Sequence, residues 1–288
     1  MSTNFDRKHV IITGGSSGIG KATARLLASV GANISIIART QTKLDAAKAE
    51  IEAVRANPEQ RVITIAADVA DRVQAEQAIK AAINQIGSPD VLITSAGIAH
   101  PGYFQELPIE IFERTMAINY FGSLYCIKAA LPVMEQRRQG NIVLVSSGAG
   151  LIGIYGYTPY SPTKFALRGL AESLRGELKL TGINVSIVYP PDTDTPQLEE
   201  ENKTKPIETK MITGTAKTWS AEGVAFEIVQ GIKKKSFAIT PGLEMRLLGN
   251  LHSLLAPGIN WYMDRIIART RRSSILATLH KRKTTETI

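Results

Sequence analysis

Cysteine is nearly absent: Cys126 is the one thiol among 288 residues, which excludes an internal disulfide. No histidine lies at ligand spacing from it, so no metal site is expected. Its side chain reads as a small buried hydrophobe, and a reducing compartment is the simplest setting. No apolar run precedes the first strand signal, since MSTNFDRKHVIITGG passes from a few polar residues straight into it. A signal peptide or leading span is not expected, and a cytoplasmic location is. Acidic residues are the minority, with 26 Asp+Glu against 34 Lys+Arg and a net charge of +8. The excess is local: residues 237–288 carry eight Lys/Arg and three Asp/Glu. A basic tail is not a basic fold, so nucleic acid is not an expected partner. Repeats and low-complexity linkers are missing too, which leaves one large domain plus an appendage.

What is present is a globular composition, 44% hydrophobic and 21% charged. Short β-branched runs at 9–13, 33–38, 61–66, 91–94, 141–146, 184–189 and 237–240 alternate with helical patterns at 19–29, 41–57, 73–86, 109–136, 157–180 and 221–235. In the fifth helical pattern Leu167, Leu170, Leu174 and Leu178 recur at helical spacing, as packing on a sheet requires. The alternation predicts an α/β fold: a Rossmann-like, doubly wound parallel sheet of about seven strands, with a helical C-terminal extension. Residues 1–240 form the nucleotide-binding catalytic domain, with a substrate loop at 190–220, and residues 241–288 form a basic, amphipathic extension.

The segment VIITGGSSGIG places Gly14, Gly18 and Gly20 between a buried strand and a helix start. Gly14 permits the tight turn, Gly18 lets backbone approach a pyrophosphate, and Gly20 lets helix and strand close up. Ser16, Ser17 and Ile19 complete the loop, whose amides face the phosphates. A glycine cluster alone is often a plain turn, but the strand before it and the helix after it favour a nucleotide. At the end of the second strand an NAD site presents a carboxylate to the ribose diol. Here that spot holds Ala38, followed by Arg39 and, one turn on, Lys43. Cations without the acid favour a 2′-phosphate and hence NADP(H), although both could be ordinary surface cations. Asp68-Val69 and Ser95-Ala96-Gly97 close the third and fourth strands, where adenosine should lie. Turn chemistry explains either equally well.

Tyr160 and Lys164 stand four apart in YSPTK at a helix start, so both project from one face. An ammonium near a phenol favours the phenolate, which suits a proton donor and its tuner. Such a pair alone usually marks a solvated helix face. Ser146-Ser147, at the carboxyl end of the fifth strand where ligands bind in such sheets, supports the chemical reading.

Together TGGSSGIG, SAG, INYFG, the serine pair and YSPTK resemble the short-chain dehydrogenase/reductase family. The resemblance implies that Tyr160 passes a proton to the substrate oxygen during hydride transfer. Lys164 lowers the tyrosine pKa and holds the nicotinamide ribose, Ser147 (with Ser146 as the alternative) binds the carbonyl, and Asn119 anchors a water relay. It also places Pro190 and Thr195 at the nicotinamide. Thr94 stands where many members carry asparagine, and Pro190-Pro191 replaces the usual Pro-Gly.

PPDTDTP, EENKTKPIETK, FERTMAINYFGSLY and KFALRGLAESLRGELK resemble the 3-ketosphinganine reductase branch of sphingolipid synthesis, from about residue 9 to 218. That resemblance implies NADPH-dependent reduction of the C3 ketone of a long-chain amino ketone. An N-terminal membrane segment like that of eukaryotic members is not expected here. Two rivals are a reductase of another lipophilic ketone or 3-oxoacyl thioester, and a non-catalytic NADP(H) sensor on the same fold. Asp192 and Asp194 are candidates to pair with the substrate amine, or they cap a turn. The stretch LEMRLLGNLHSLLAPGINWYM, interrupted by Asn250, His252, Pro257-Gly258 and Asn260, is a poor spanning helix. With Arg265, Arg269, Arg271, Arg272, Lys281, Arg282 and Lys283 after it, it reads as an interfacial anchor, or as a cover for the cleft or a partner. A homo-oligomer is the expected assembly.

Overall fold

The computed structural model describes residues 5–214 and 218–285. In chain order its strands are β1 (His9–Thr13), β2 (Asn33–Ala38), β3 (Val62–Ala66), β4 (Val91–Thr94), β5 (Gly140–Val145), β6 (Ile183–Val188), β7 (Thr193–Asp194), β8 (Trp219–Ser220) and β9 (Ala238–Ile239). Its helices are α1 (Gly18–Ala28), α2 (Gln41–Glu52), α3 (Arg72–Ile86), α4 (Ile109–Met116), α5 (Gly122–Arg137), α6 (Ser161–Glu177), α7 (Pro196–Thr204), α8 (Ile207–Thr213), α9 (Ala221–Lys233) and α10 (Gly242–Thr285). Seven strands form one parallel sheet in the order β3-β2-β1-β4-β5-β6-β9, and β7 pairs with β8 beside it. The Rossmann-like sheet and the helical C-terminal segment are as expected.

Side-chain alternation builds two cores. In β1, Val10 and Ile12 enter one apolar cluster and Ile11 the other. In β5, Val143 and Val145 share the first side, Ile142 and Leu144 the second. Helices α1, α2 and α9 cover the first face through Leu27, Leu44 and Ile228. Helices α3, α5 and α6 cover the second through Ile79, Ile127 and Leu167. Each such fully buried side chain contributes roughly 1.5–3 kcal/mol of transfer free energy, which is why these strands read as continuous apolar runs. Strand order reverses at β1, between β2 and β4, and the crevice at the carboxyl ends there is where such sheets bind ligands.

Four local differences from expectation have physical causes. Helix α2 stops at Glu52, short of 57, because Pro58 disfavours helix at Asn57 and the Gln60 amide donates to Ala28 and Ala32 carbonyls at 2.8 Å. The helix expected over 109–136 is interrupted by a π-turn at Ala117–Phe121. Two unforeseen helices, α7 and α8, occupy the 190–220 loop, although Thr195-Pro196 is a helix-start signature: the Thr195 hydroxyl accepts from Leu198 N–H at 3.3 Å. Finally, α10 continues through Pro257 and Gly258, where the sequence suggested an interruption. Among the described residues no helix is long and apolar enough to cross a membrane.

Candidate active site

An open cleft of about 300 Å³ runs along the carboxyl edge of the sheet, at the lower end of the ~300–1,000 Å³ of a small-molecule site. It begins at the glycine turn. Gly14 has φ +70°, and a Cβ on it would lie 2.8 Å from the Ala96 backbone. A Cβ on Gly20 would lie 2.5 Å from the Gly14 carbonyl oxygen. The Ser17 side chain makes no capping hydrogen bond and the first turn of α1 carries no acid, so the helix amides keep their capacity for an anion. Ser16, Ser17, Gly18, Ile19, Ala96 and Gly97 all line the cleft. These features fit a pyrophosphate.

Beyond β2, Ala38, Arg39 and Lys43 line the same cleft. Both cations are exposed, and neither has an ion-pair partner among the described residues. Asp68 and Val69 face it as well, and Asp68 serves the turn too: its Oδ1 accepts from Ala70 N–H at 3.0 Å, and Oδ2 lies 3.6 Å from Arg114. Both readings of that pair therefore have structural content.

At the other end, Tyr160 caps α6 and Lys164 sits one turn inside it. Lys164 Nζ lies 5.3 Å from the Tyr160 ring centre and donates to the Val145 carbonyl at 3.0 Å. Burial lowers the Lys164 ammonium to about 8, against an upward pull from Glu201. Tyr160 moves the opposite way from the tuning expected of Lys164. Burial first, then the Glu201 charge, raises its pKa, while hydrogen bonds from Ser147 and Gln197 lower it. A raised pKa keeps the phenol protonated, which is the state a proton donor to a ketone needs.

The two serines separate. Ser146 donates to the buried Lys164 carbonyl at 3.0 Å, whereas the Ser147 hydroxyl interacts with Tyr160 and accepts from Ala149 N–H at 3.2 Å. Asn119, fully buried in the π-turn, lies behind the cleft wall. Its amide accepts from Ile98 N–H at 2.9 Å and donates to Ile98 O and Thr163 Oγ1, each at 3.0 Å. A Cβ on Gly97 would lie 3.3 Å from Asn119 Oδ1 and 3.6 Å from Lys164 Nζ, so a side chain there would crowd both polar groups. Pro190 and Thr195 also line the cleft. Thr94 Oγ1 is buried without a hydrogen-bond partner among the described residues.

Helix α7 adds groups that local spacing did not reveal. Glu201 is 7% exposed and accepts from the Tyr157 hydroxyl at 2.7 Å and from Gln197 Nε2 at 2.8 Å. All three line the cleft beside Tyr160. Asp192 lines it too, with Oδ2 3.8 Å from the buried Lys205 Nζ. Asp194 is exposed and faces a shallow pocket shared with Lys21 and Arg25. The lone thiol, Cys126, is buried, and burial pushes it up to about 12, as its reading as a small hydrophobe required. Among the described residues no cluster of metal-ligating side chains occurs.

A model of the short chain dehydrogenase family matches residues 8–206. The chain is 45% identical over 250 residues to a 3-dehydrosphinganine reductase of Danio rerio, covering 86% of this chain and 75% of the relative. It is 42% identical over 276 residues to a 3-ketodihydrosphingosine reductase of Dictyostelium discoideum, covering 91% and 82%. The solved structure of a levodione reductase superposes with a TM-score of 0.72 at 27% identity, covering 79% of this chain and 90% of that one.

Proposed function

Because the chain belongs to the short-chain dehydrogenase/reductase family, we propose that it reduces the C3 ketone of 3-ketosphinganine with NADPH. The observation that carries the chemistry is the buried, protonated Tyr160 beside Ser147 and Lys164, in the cleft that begins at the glycine turn. The substrate assignment rests on the relatives' names and on their identity along most of the chain.

A bound reduced nicotinamide supplies the hydride. The amides of α1 and the glycine turn hold its pyrophosphate, and Arg39 and Lys43 take the 2′-phosphate. Asp68, Val69, Ala96 and Gly97 line the adenosine, and Pro190 and Thr195 the nicotinamide. Tyr160 gives its phenolic proton to the carbonyl oxygen while Ser147 hydrogen-bonds that oxygen. A positioned acid is typically worth a factor of ~100 to 10,000 in rate. Lys164 holds the ribose and, as an ammonium, offsets the growing negative charge on Tyr160. Asn119 braces the Lys164 region through Ile98 and Thr163 and anchors the water relay that returns the proton. A purified preparation assayed with NADPH or NADH against 3-ketosphinganine, 3-oxoacyl thioesters and steroid ketones, with product chirality, tests the reading. Preference for a thioester or a steroid overturns it.

The location proposed for this enzyme is peripheral, on an anionic membrane surface. Helix α10 has two faces. Met245, Leu248 and Ile259 pack on the body, while Leu243, Leu247, Leu251, Leu254, Trp261 and Tyr262 are exposed. Arg265 stacks 4.7 Å from the Trp261 ring, a pairing that suits the headgroup boundary. The further cations Arg271, Arg272, Lys281, Arg282 and Lys283 lie outside the residues whose side chains are described. A ketone with a long alkyl chain partitions into that same boundary.

A further inference from the structure

We propose that Glu201 is the group that recognises the substrate's ammonium beside the reacting ketone, a specificity determinant that rests on the amino-ketone reading above. Helix α7 exposes Glu199 and Glu200 but turns Glu201 inward, where only 7% of it is accessible. There it lines the cleft together with Tyr160. A carboxylate taken out of water is costly unless a cation pairs with it. Glu201 has two neutral donors, the Tyr157 hydroxyl at 2.7 Å and the Gln197 amide at 2.8 Å. Among the described residues no Lys, Arg or His approaches it within ion-pair distance; the nearby buried cation, Lys205, is paired with Asp192. Lys164 attracts Glu201 only from beyond ion-pair distance, so the carboxylate still has room for a paired positive charge that arrives through the cleft.

The reacting molecule brings one to the right place. In a 2-amino-3-ketone the ammonium nitrogen is two bonds from the carbonyl carbon, so it must lie close to the acid that protonates the oxygen. The Glu201 charge is felt by both Tyr160 and Lys164, which puts the carboxylate in electrostatic range of that reacting oxygen. Other carboxylates fit less well. Asp192 is already beside Lys205, and Asp194 lies outside the cleft. A ketone without the amine leaves Glu201 uncompensated in a desolvated site, so the same carboxylate selects for the amino ketone and against neutral isosteres. Docking an ammonium also cancels the influence of Glu201 on Tyr160, which makes the proton easier to release once the correct substrate is bound.

The test compares kcat/KM for 3-ketosphinganine and for its des-amino counterpart of equal chain length, using the NADPH-loaded full chain. Any effect of Glu201 on Tyr160 common to both ketones cancels in their ratio. Glu201→Gln is expected to lower the ratio by about 10- to 100-fold, chiefly through KM for the amino ketone, as loss of a charge-assisted hydrogen bond requires. Should the variant not fold, the perturbation moves to the ligand: with wild type, the aminodiol product should inhibit about 10- to 100-fold more tightly than its des-amino diol. An unchanged ratio in an active Glu201→Gln variant, or equal inhibition by the two diols, overturns the proposal and leaves the reductase reading standing. Wild type that reduces the des-amino ketone but not the amino ketone overturns both.

Discussion

Replacing Ala38 by aspartate puts a carboxylate at the end of β2, the spot where an NAD site presents its acid, and Arg39→Ala removes the cation next to it. Arg39 and Lys43 are exposed and have no carboxylate partner among the described residues, so a bound phosphate competes only with water for them. A charge-assisted contact is worth roughly 1.5–3 kcal/mol when sheltered, and exposure reduces that to about 0.5–1 kcal/mol. The aspartate adds repulsion toward a 2′-phosphate of about 1–3 kcal/mol for unit charges at ~5 Å, from the bulk-water to the near-surface dielectric. NADPH and NADH differ only at that phosphate. Arg39→Ala alone should therefore lower the kcat/KM ratio of NADPH to NADH by about 2- to 5-fold, and A38D/R39A by about 10- to 1000-fold. Initial rates with one saturating ketone and each coenzyme give both ratios directly. A double variant whose ratio stays within about twofold of wild type, or a wild type that prefers NADH, refutes the reasoning.

Tyr160→Phe should reduce turnover by a factor of ~100 to 10,000 while NADPH fluorescence titration shows binding close to wild type; near-normal turnover removes Tyr160 from its role. His9, 3% exposed, contacts the Gly87 carbonyl and Ser35 hydroxyl at 2.7 Å, and burial lowers it to about 4. The unfolded chain takes up that proton near pH 6.5 and the folded one only near 4, so this contribution is complete above 6.5 and is lost as pH falls toward 4. Urea unfolding of wild type should show about 2 kcal/mol less stability at pH 5 than at pH 7, beyond any loss seen in His9→Gln; parallel losses in both proteins count against it. For α10, vesicles containing anionic lipid should retain wild type and release L251Q/W261Q at equal salt, and equal recovery of both proteins in the soluble fraction removes the anchor.

Much of this protein is determined by short-range pattern. The β-branched runs at 9–13 and 91–94 are strands in any context that buries them, and the glycines specify the turn: backbone approaches Gly14 and Gly20 too closely for a side chain, and Gly18 has φ +51°. Tyr160 and Lys164 share a face because α6 begins between them. Tertiary structure decided what depends on neighbours distant in sequence. Asn119 sits in a π-turn rather than a regular helix, its amide engaged by Ile98 and Thr163. Ser146 and Ser147, adjacent in sequence, part because one meets the Lys164 carbonyl and the other Tyr160. Glu201 was invisible in EENKTK, which has the composition of a solvated helix face. Only the docking of α7 against Tyr157 turns that one carboxylate inward, because burial is a property of the partner surface and not of the residue's own spacing.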